Sequence, residues 1–240
     1  MTFLWATATD PGRVRGHNED ALWPRPGRPG AAQGEAEGPF LAAVADGMGG
    51  HVGGEVASRL AVEAAVAAEG AAVDRVRAAN AAVVGTALDR PRLAGMGTTM
   101  TLAVFSADAV EIGHIGDSRA YLYREGALTQ LTRDHSLMAD MIASGEITPE
   151  LAAVHPFRSV ITRALGIESS VVVDRVSHDL LPGDRLLLCT DGLTTMIDDP
   201  DIATLLGGSG AAAAAAALIE AANRAGGLDN ISVVVVDLPS

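Results

Sequence analysis

The stretch Phe40-Leu-Ala-Ala-Val-Ala-Asp46-Gly47-Met48-Gly49-Gly50-His51 restricts what this chain can become more than any other. Its first six residues are apolar or small, too few for an ordinary helix, and they predict a buried strand. The run stops at an acid and a glycine-rich turn, and a helical pattern begins after Gly54. A carboxylate at the end of a buried strand is costly unless something positive holds it. The glycines allow close backbone approach to a bound group. Taken alone, the stretch fits either a phosphate or a metal.

The arrangement recurs. Arg185 to Thr190 is a second apolar strand and runs into Asp191-Gly192, while Val110 to Gly116 is a third and ends in Asp117. Near the C-terminus the order inverts, with Asp229-Asn230 immediately before the apolar strand Ile231 to Val236. Clustered carboxylates repel one another and stay ionised together only when cations neutralise them. Oxygen-only ligands favour magnesium or manganese over zinc.

Composition removes several alternatives. The net charge of −13 opposes nucleic acid as a partner and leaves no basic surface for membranes. All 17 basic residues are arginine, so neither a Walker loop nor Schiff-base chemistry is available. Cys189 is the single cysteine, which excludes a disulfide scaffold and reads as a small buried hydrophobe. The first residues lack a basic region followed by an apolar run, and Ala211 to Ile219 is too short to span a bilayer. A soluble cytoplasmic protein is expected, with monomer as the default state. The length of 240 residues suits one domain with a sizeable core.

Along the chain, Pro24 to Pro39 reads as a loop of variable length, and Ala21 to Trp23 as a strand start. Glu55–Glu69 and Val73–Leu88 carry helical spacing, predicting an adjacent antiparallel pair over one face of a sheet. Met100–Phe105, Val110–Gly116 and Ala120–Glu125 predict antiparallel strands, with a turn at Gly126. Short helices and loops are expected from Asp134 to Leu165, then strands Val171–Val176 and Arg185–Thr190, and a helix over Ala211–Ala222. Pairs of helices alternating with runs of strands indicate an α+β sandwich.

Nine motifs occur in order: Asp10-Pro-Gly-Arg-Val-Arg-Gly-His-Asn-Glu-Asp20, Ala45-Asp-Gly-Met-Gly-Gly-His51, Gly95-Met-Gly-Thr-Thr99, His114-Ile-Gly-Asp-Ser-Arg119, Leu131-Thr-Arg-Asp-His135, His155-Pro, Thr162-Arg-Ala-Leu-Gly166, Thr190-Asp-Gly-Leu193 and Asp229-Asn230. Together they resemble the metal-dependent protein serine/threonine phosphatases, the protein phosphatase 2C-like family in its bacterial form. The resemblance implies a four-layer α-β-β-α sandwich of two antiparallel sheets flanked by helix pairs, in one catalytic domain over residues 1–240 with a flap at about 135–165. It implies two Mn2+ or Mg2+ ions, and a third in bacterial members. Asp46 would bridge two ions, with the Gly47 carbonyl on one and Asp191 and Asp229 on the other. Asp117 with Asp191 would hold the third.

The same resemblance makes Arg15 the grip on the substrate phosphate, while Glu19 and Asp20, backed by Asn230, would act through bound water. Two ions roughly 3.5–4 Å apart can activate a shared water for in-line attack, so no side chain need be phosphorylated. His51 is the nearest candidate acid for the leaving oxygen, although some relatives carry that histidine at the position of Met48. His135, His155, Arg119 and Arg163 are expected to hold local structure, and Asp10 and Asp134 to cap turns. The expected substrates are phosphoserine and phosphothreonine in proteins, with bacterial serine/threonine kinases as counterparts. Two alternatives stand: a phosphatase of sigma-factor antagonists, and a catalytically silent phosphoprotein-binding module.

Overall fold

The computed structural model describes residues 2–26, 30–48, 53–208 and 210–238. In chain order the strands β1 (Thr2–Asp10), β2 (Asp20–Trp23), β3 (Ala31–Glu37) and β4 (Phe40–Met48) precede helices α1 (Gly53–Ala67) and α2 (Ala72–Asp89). Next come β5 (Gly97–Thr98), β6 (Met100–Phe105), β7 (Ala109–Ile115), β8 (Arg119–Arg124) and β9 (Ala127–Gln130). Helices α3 (Leu137–Ala143) and α4 (Pro149–Ala153) lead to β10 (Asp174–Asp179) and β11 (Arg185–Cys189). The chain closes with α5 (Asp191–Thr194), α6 (Asp199–Gly207), α7 (Ala211–Arg224) and β12 (Ile231–Asp237).

Two antiparallel sheets result, ordered β3-β1-β12-β11-β8-β9 and β10-β7-β6-β4-β2, with β5 paired to β4. Their strands read as continuous apolar runs because both faces are covered. Along β12, Val234 and Val236 face the other sheet while Val233 and Val235 face α6 and α7. Leu186 and Leu188 of β11 likewise point between the sheets, and Leu187 and Cys189 point outward. In the second sheet Val44 and Phe105 point inward, and Ala45 and Met100 pack under α1 and α2. Three separate apolar layers therefore define four structural ones, as expected from the resemblance. Phe3, Phe40 and Phe105 meet at the centre of the middle layer, with ring centroids 5.4–6.0 Å apart. Cys189 is fully buried in the outer apolar layer beneath α6 and α7, and burial pushes its thiol up to about 12. Among the described residues no helix is long and apolar enough to cross a membrane.

Several elements differ from expectation. β4 does not stop at Asp46 but continues to Met48, because β5 pairs with Gly47 and Met48. The Pro24–Pro39 loop contains β3, whose Ala, Gly and Glu residues are poor strand formers. Pairing with β1 over Thr2–Ala8 imposes the strand, and its side chains alternate in exposure as an edge requires. β1 itself and β9 also lie where no strand was predicted. The strand expected at Val171–Val176 is shifted to Asp174–Asp179, leaving Val172 exposed. Helix α6 was not predicted either, although Asp198 caps it by accepting from Asp201 N–H and a proline stands in its first turn.

Strand direction brings the acids together. β4 and β7 both run antiparallel to β6 between them, so Asp46 and Asp117 reach the same rim. β2 runs antiparallel to β4 and sets Asp20 directly opposite Asp46. In the other sheet the end of β11 and the start of β12 are neighbours, which places Asp191 beside Asp229.

Candidate active site

A cleft of about 560 Å³ opens at this rim, lined by Arg15, Glu19, Asp46, Gly47, Asp117, Asp191, Asp229 and Asn230 among others. All of these were sequence candidates, and they come from five separated chain segments. Asp20 lies just behind, its Oδ2 accepting from Thr190 Oγ1 at 2.8 Å. His51 lies outside the described residues.

Hydroxyls and one amide, most of them inside the motifs themselves, fix the acids. Asp46 N–H donates to Thr99 Oγ1 at 2.9 Å, and Asp46 O accepts from Thr99 N–H and Thr98 Oγ1. Thr190 Oγ1, besides donating to Asp20, accepts from Ser232 N–H at 3.0 Å and locks the start of α5 to β12. Asn230 spends its whole amide on the loop carrying Arg15. Its Oδ1 accepts from Glu19 N–H (2.8 Å), and its Nδ2 donates to the carbonyls of Pro11 and His17 (3.0 and 2.8 Å). A buried amide so fully engaged supports the site without entering it. Asp10 turns the same loop, accepting from Gly12 N–H at 2.9 Å, as a turn cap does. Asp134 corrects the parallel expectation: it pairs with Arg119 at 2.7 Å instead of capping a turn. Arg163 pairs with Asp174 at 2.8 Å. Both arginines hold local structure, as expected.

Glycine is obligatory at the centre. A Cβ on Gly47 would stand 2.6 Å from Glu19 O and still closer to Gly54 O, both backbone atoms. One on Gly192 would meet Asn230 O. These contacts let β4, α1, α5 and the Glu19 loop converge without side chains between them.

Electrostatics mark the acids as frustrated. Burial first, then the charges of Asp20 and Asp191, raise Asp46, whose carboxyl lies within hydrogen-bond reach of Asp191. Burial pushes Asp20 up to about 7; Asp191 and Asp229 add to the push, and hydroxyls of Ser232 and Thr190 oppose it. Asp117 reaches about 7 through burial and the charges of Asp191 and Asp134. Oδ1 of Asp20, of Asp117 and of Asp191 is buried without any hydrogen-bond partner. Orphaned carboxylate oxygens in an all-oxygen donor set fit hard divalent cations.

The acids share a cleft but are not drawn into a closed cage. Among the described residues no three acid, histidine or cysteine side chains gather around a single point. Asp229 turns Oδ2 to Arg15 Nη2 at 2.7 Å.

A pH dependence follows. An unfolded chain releases these protons near 3.8, whereas the folded one keeps those of Asp20 and Asp117 to about 7. The native state thus binds more protons between those values, and its stability falls as pH rises through that window. With chelator present, the melting temperature is expected to fall from pH 5 to pH 8. Added Mn2+ should restore it, and restore more at the higher pH. A chelated protein whose melting point does not fall across this window would contradict the assignment.

Comparison with known proteins agrees with this geometry. The protein phosphatase 2C family model matches residues 17–226. The serine/threonine protein phosphatase PstP of Mycobacterium tuberculosis is 40% identical over 247 aligned residues, spanning 99% of this chain and 45% of PstP. The serine/threonine phosphatase stp of Listeria monocytogenes is 37% identical over 243, spanning 95% of this chain and 93% of stp. The chain thus covers under half of one relative and nearly all of another. A solved catalytic domain of PstP in complex with two manganese ions superposes with a TM-score of 0.86 at 38% identity over 100% of both chains. With a family model over most of its length, whole-chain relatives and the same architecture, this chain belongs to the protein phosphatase 2C family.

Proposed function

We propose that this chain hydrolyses phosphoserine and phosphothreonine in proteins, using Mn2+ or Mg2+. The observation that carries the reading is the convergence of Arg15, Asp46, Asp117, Asp191 and Asp229 on one cleft. Asp46, the Gly47 carbonyl, Asp191 and Asp229 would hold two ions, and Asp117 with Asp191 would hold a third. The bound ions supply charge neutralisation and an acidified water. Glu19 and Asp20 orient solvent, and Asn230 keeps their loop in place.

Arg15 is the phosphate grip. Its fork now meets Asp229, with side chains 57% and 33% exposed. Such an open pair contributes at most about 1 kcal/mol, so a phosphate dianion can take the guanidinium at small cost. Substrate binding and release of Asp229 are then one event. Leu151, Val154, Phe157 and Val160 are exposed on the flap, which is lined up with the cleft through Ser159 and Ile161. Exposed apolar side chains on the flap suit a polypeptide substrate. Phosphorylated targets of bacterial serine/threonine kinases, and those kinases, are the partners; the protein acts as a cytoplasmic monomer, and residues 1–240 work as one catalytic domain.

A silent phosphoprotein-binding module would tolerate loss of one of these acids, and none is lost. The deciding assay is hydrolysis of p-nitrophenyl phosphate and of a phosphothreonine peptide with Mn2+ and with excess chelator. Turnover that requires Mn2+ is expected on both. Protein that binds Mn2+ yet remains inert would favour the binding module, and full turnover in chelator would overturn the cation reading.

A further inference from the structure

Asp134 and His135, where the flap begins, hold the turn around Asp117 from both sides. His135 N–H donates to Gly116 O at 2.8 Å, and Gly116 N–H donates back to His135 Nδ1 at 3.1 Å. Beyond Asp117, the Arg119 guanidinium donates Nε to Oδ1 and Nη2 to Oδ2 of Asp134, at 2.9 and 2.7 Å. The acid in the cleft is thus bracketed at residues 116 and 119 by two consecutive residues of one segment.

The same imidazole also ties both ends of the flap. Because Nδ1 accepts, Nε2 carries the proton and donates to Asp174 Oδ2 at 3.1 Å. Asp174 Oδ1 accepts from Arg163 Nη1 at 2.8 Å, at the flap's far end. Thr162 N–H donates to His135 O at 2.8 Å, next to the bridge between Ser136 and Ile161. His135 is 1% exposed and packs against buried His114 with the rings tilted by 44°, centroids 4.8 Å apart. His114 in turn donates from Nε2 to Arg133 O at 3.0 Å and meets Thr101 Oγ1 through Nδ1 at 2.9 Å. Every nitrogen of the pair is used, so the block behaves as a rigid wedge.

We propose that Asp134 and His135 are positioning residues that transmit the attachment of the flap to Asp117 and so set where its carboxylate stands in the cleft. This rests on reading Asp117 as a cation-binding acid. A flap displaced by substrate would pull on Asp174 and His135, and through Gly116 on Asp117. Coupling by a reciprocal hydrogen-bonded pair is directional, unlike simple packing.

The experiment separates the two nitrogens. His135→Asn keeps an acceptor where Nδ1 stands, whereas His135→Gln reaches only toward Nε2. Amide hydrogen exchange at Gly116, followed by NMR on the full chain, is expected to be at least about tenfold faster in H135Q and near native in H135N. Calorimetric Mn2+ titration, with Asp117→Ala defining the Asp117-dependent site, should show about 10- to 100-fold weaker binding there in H135Q. Asp134→Asn, which loosens only the Arg119 side, should weaken the same site while leaving Gly116 exchange native. It keeps the test open if H135Q does not fold. Equal Gly116 exchange in H135N and H135Q, or unchanged Mn2+ affinity in H135Q and D134N, would overturn the bracket. Native protein that binds no Mn2+ would overturn the cation reading instead, and the exchange result would still decide the bracket.

Discussion

Replacing Asp191 with alanine should lower phosphate-ester hydrolysis by at least about 10³-fold, the scale on which losing one preorganised charge-stabilising group acts. The charge of Asp191 is among the causes that raise Asp46, and its own Oδ1 is buried with no hydrogen-bond partner. In the proposed site it serves more than one ion, so no neighbour replaces it. The fold should not suffer in parallel. Asp191 opens α5 without holding the helix through its side chain, since Thr190 Oγ1 and backbone bonds do that work. Its charge also raises Asp46, so its removal relieves repulsion in the absence of cations. The melting temperature in chelator should therefore stay the same or rise while turnover is lost. Near-native rates in this variant would show that the site is wrongly assigned.

Gly47→Ala is expected to act on the opposite side of the ledger, destabilising the fold by about 3 kcal/mol or more. The added methyl would meet backbone oxygens of Glu19 and Gly54, and neither can move as a side-chain tip can. Gly47 N–H donates to Glu19 O at 3.2 Å, so pushing the Glu19 loop away breaks a bond as well as creating a clash. Ser58 Oγ donates to the same carbonyl at 2.6 Å and ties it to α1, which closes the remaining escape. Denaturant unfolding with chelator present measures the loss without any contribution from bound cations. A variant within about 1 kcal/mol of the parent would mean that α1 can shift, and that the convergence at Gly47 is looser than its contacts indicate.

The buried strands and the acids at their ends were legible because their signals are local. Arg185–Cys189 and Ile231–Asp237 carry unbroken apolar runs, which only double-sided burial requires, and α2 shows its spacing within one segment. The edge strand β3 was not legible, since Ala31–Glu37 has no strand preference and takes its form from β1. The site residues were legible mainly as ordered motifs. What the residues beside them do was not: Thr99 and Thr190 stand inside the motifs and Ser232 outside them, but which group each one holds is set only when the two sheets are packed.

By itself, the sequence indicated the class of chemistry proposed here: arginine without lysine as the one strong cation for phosphate, strand-end carboxylates as oxygen donors for hard cations, and strands covered on both faces. Only the tertiary structure decided which partner each acid has in the folded protein. It turned Asp229 to Arg15, set Asp20 against Thr190, and fastened Gly116, next to Asp117, to His135. Residue types are fixed by covalent chemistry, whereas a carboxylate's partner and proton depend on distances of a few ångströms between segments far apart in the chain, and those distances exist only once the sheets have packed.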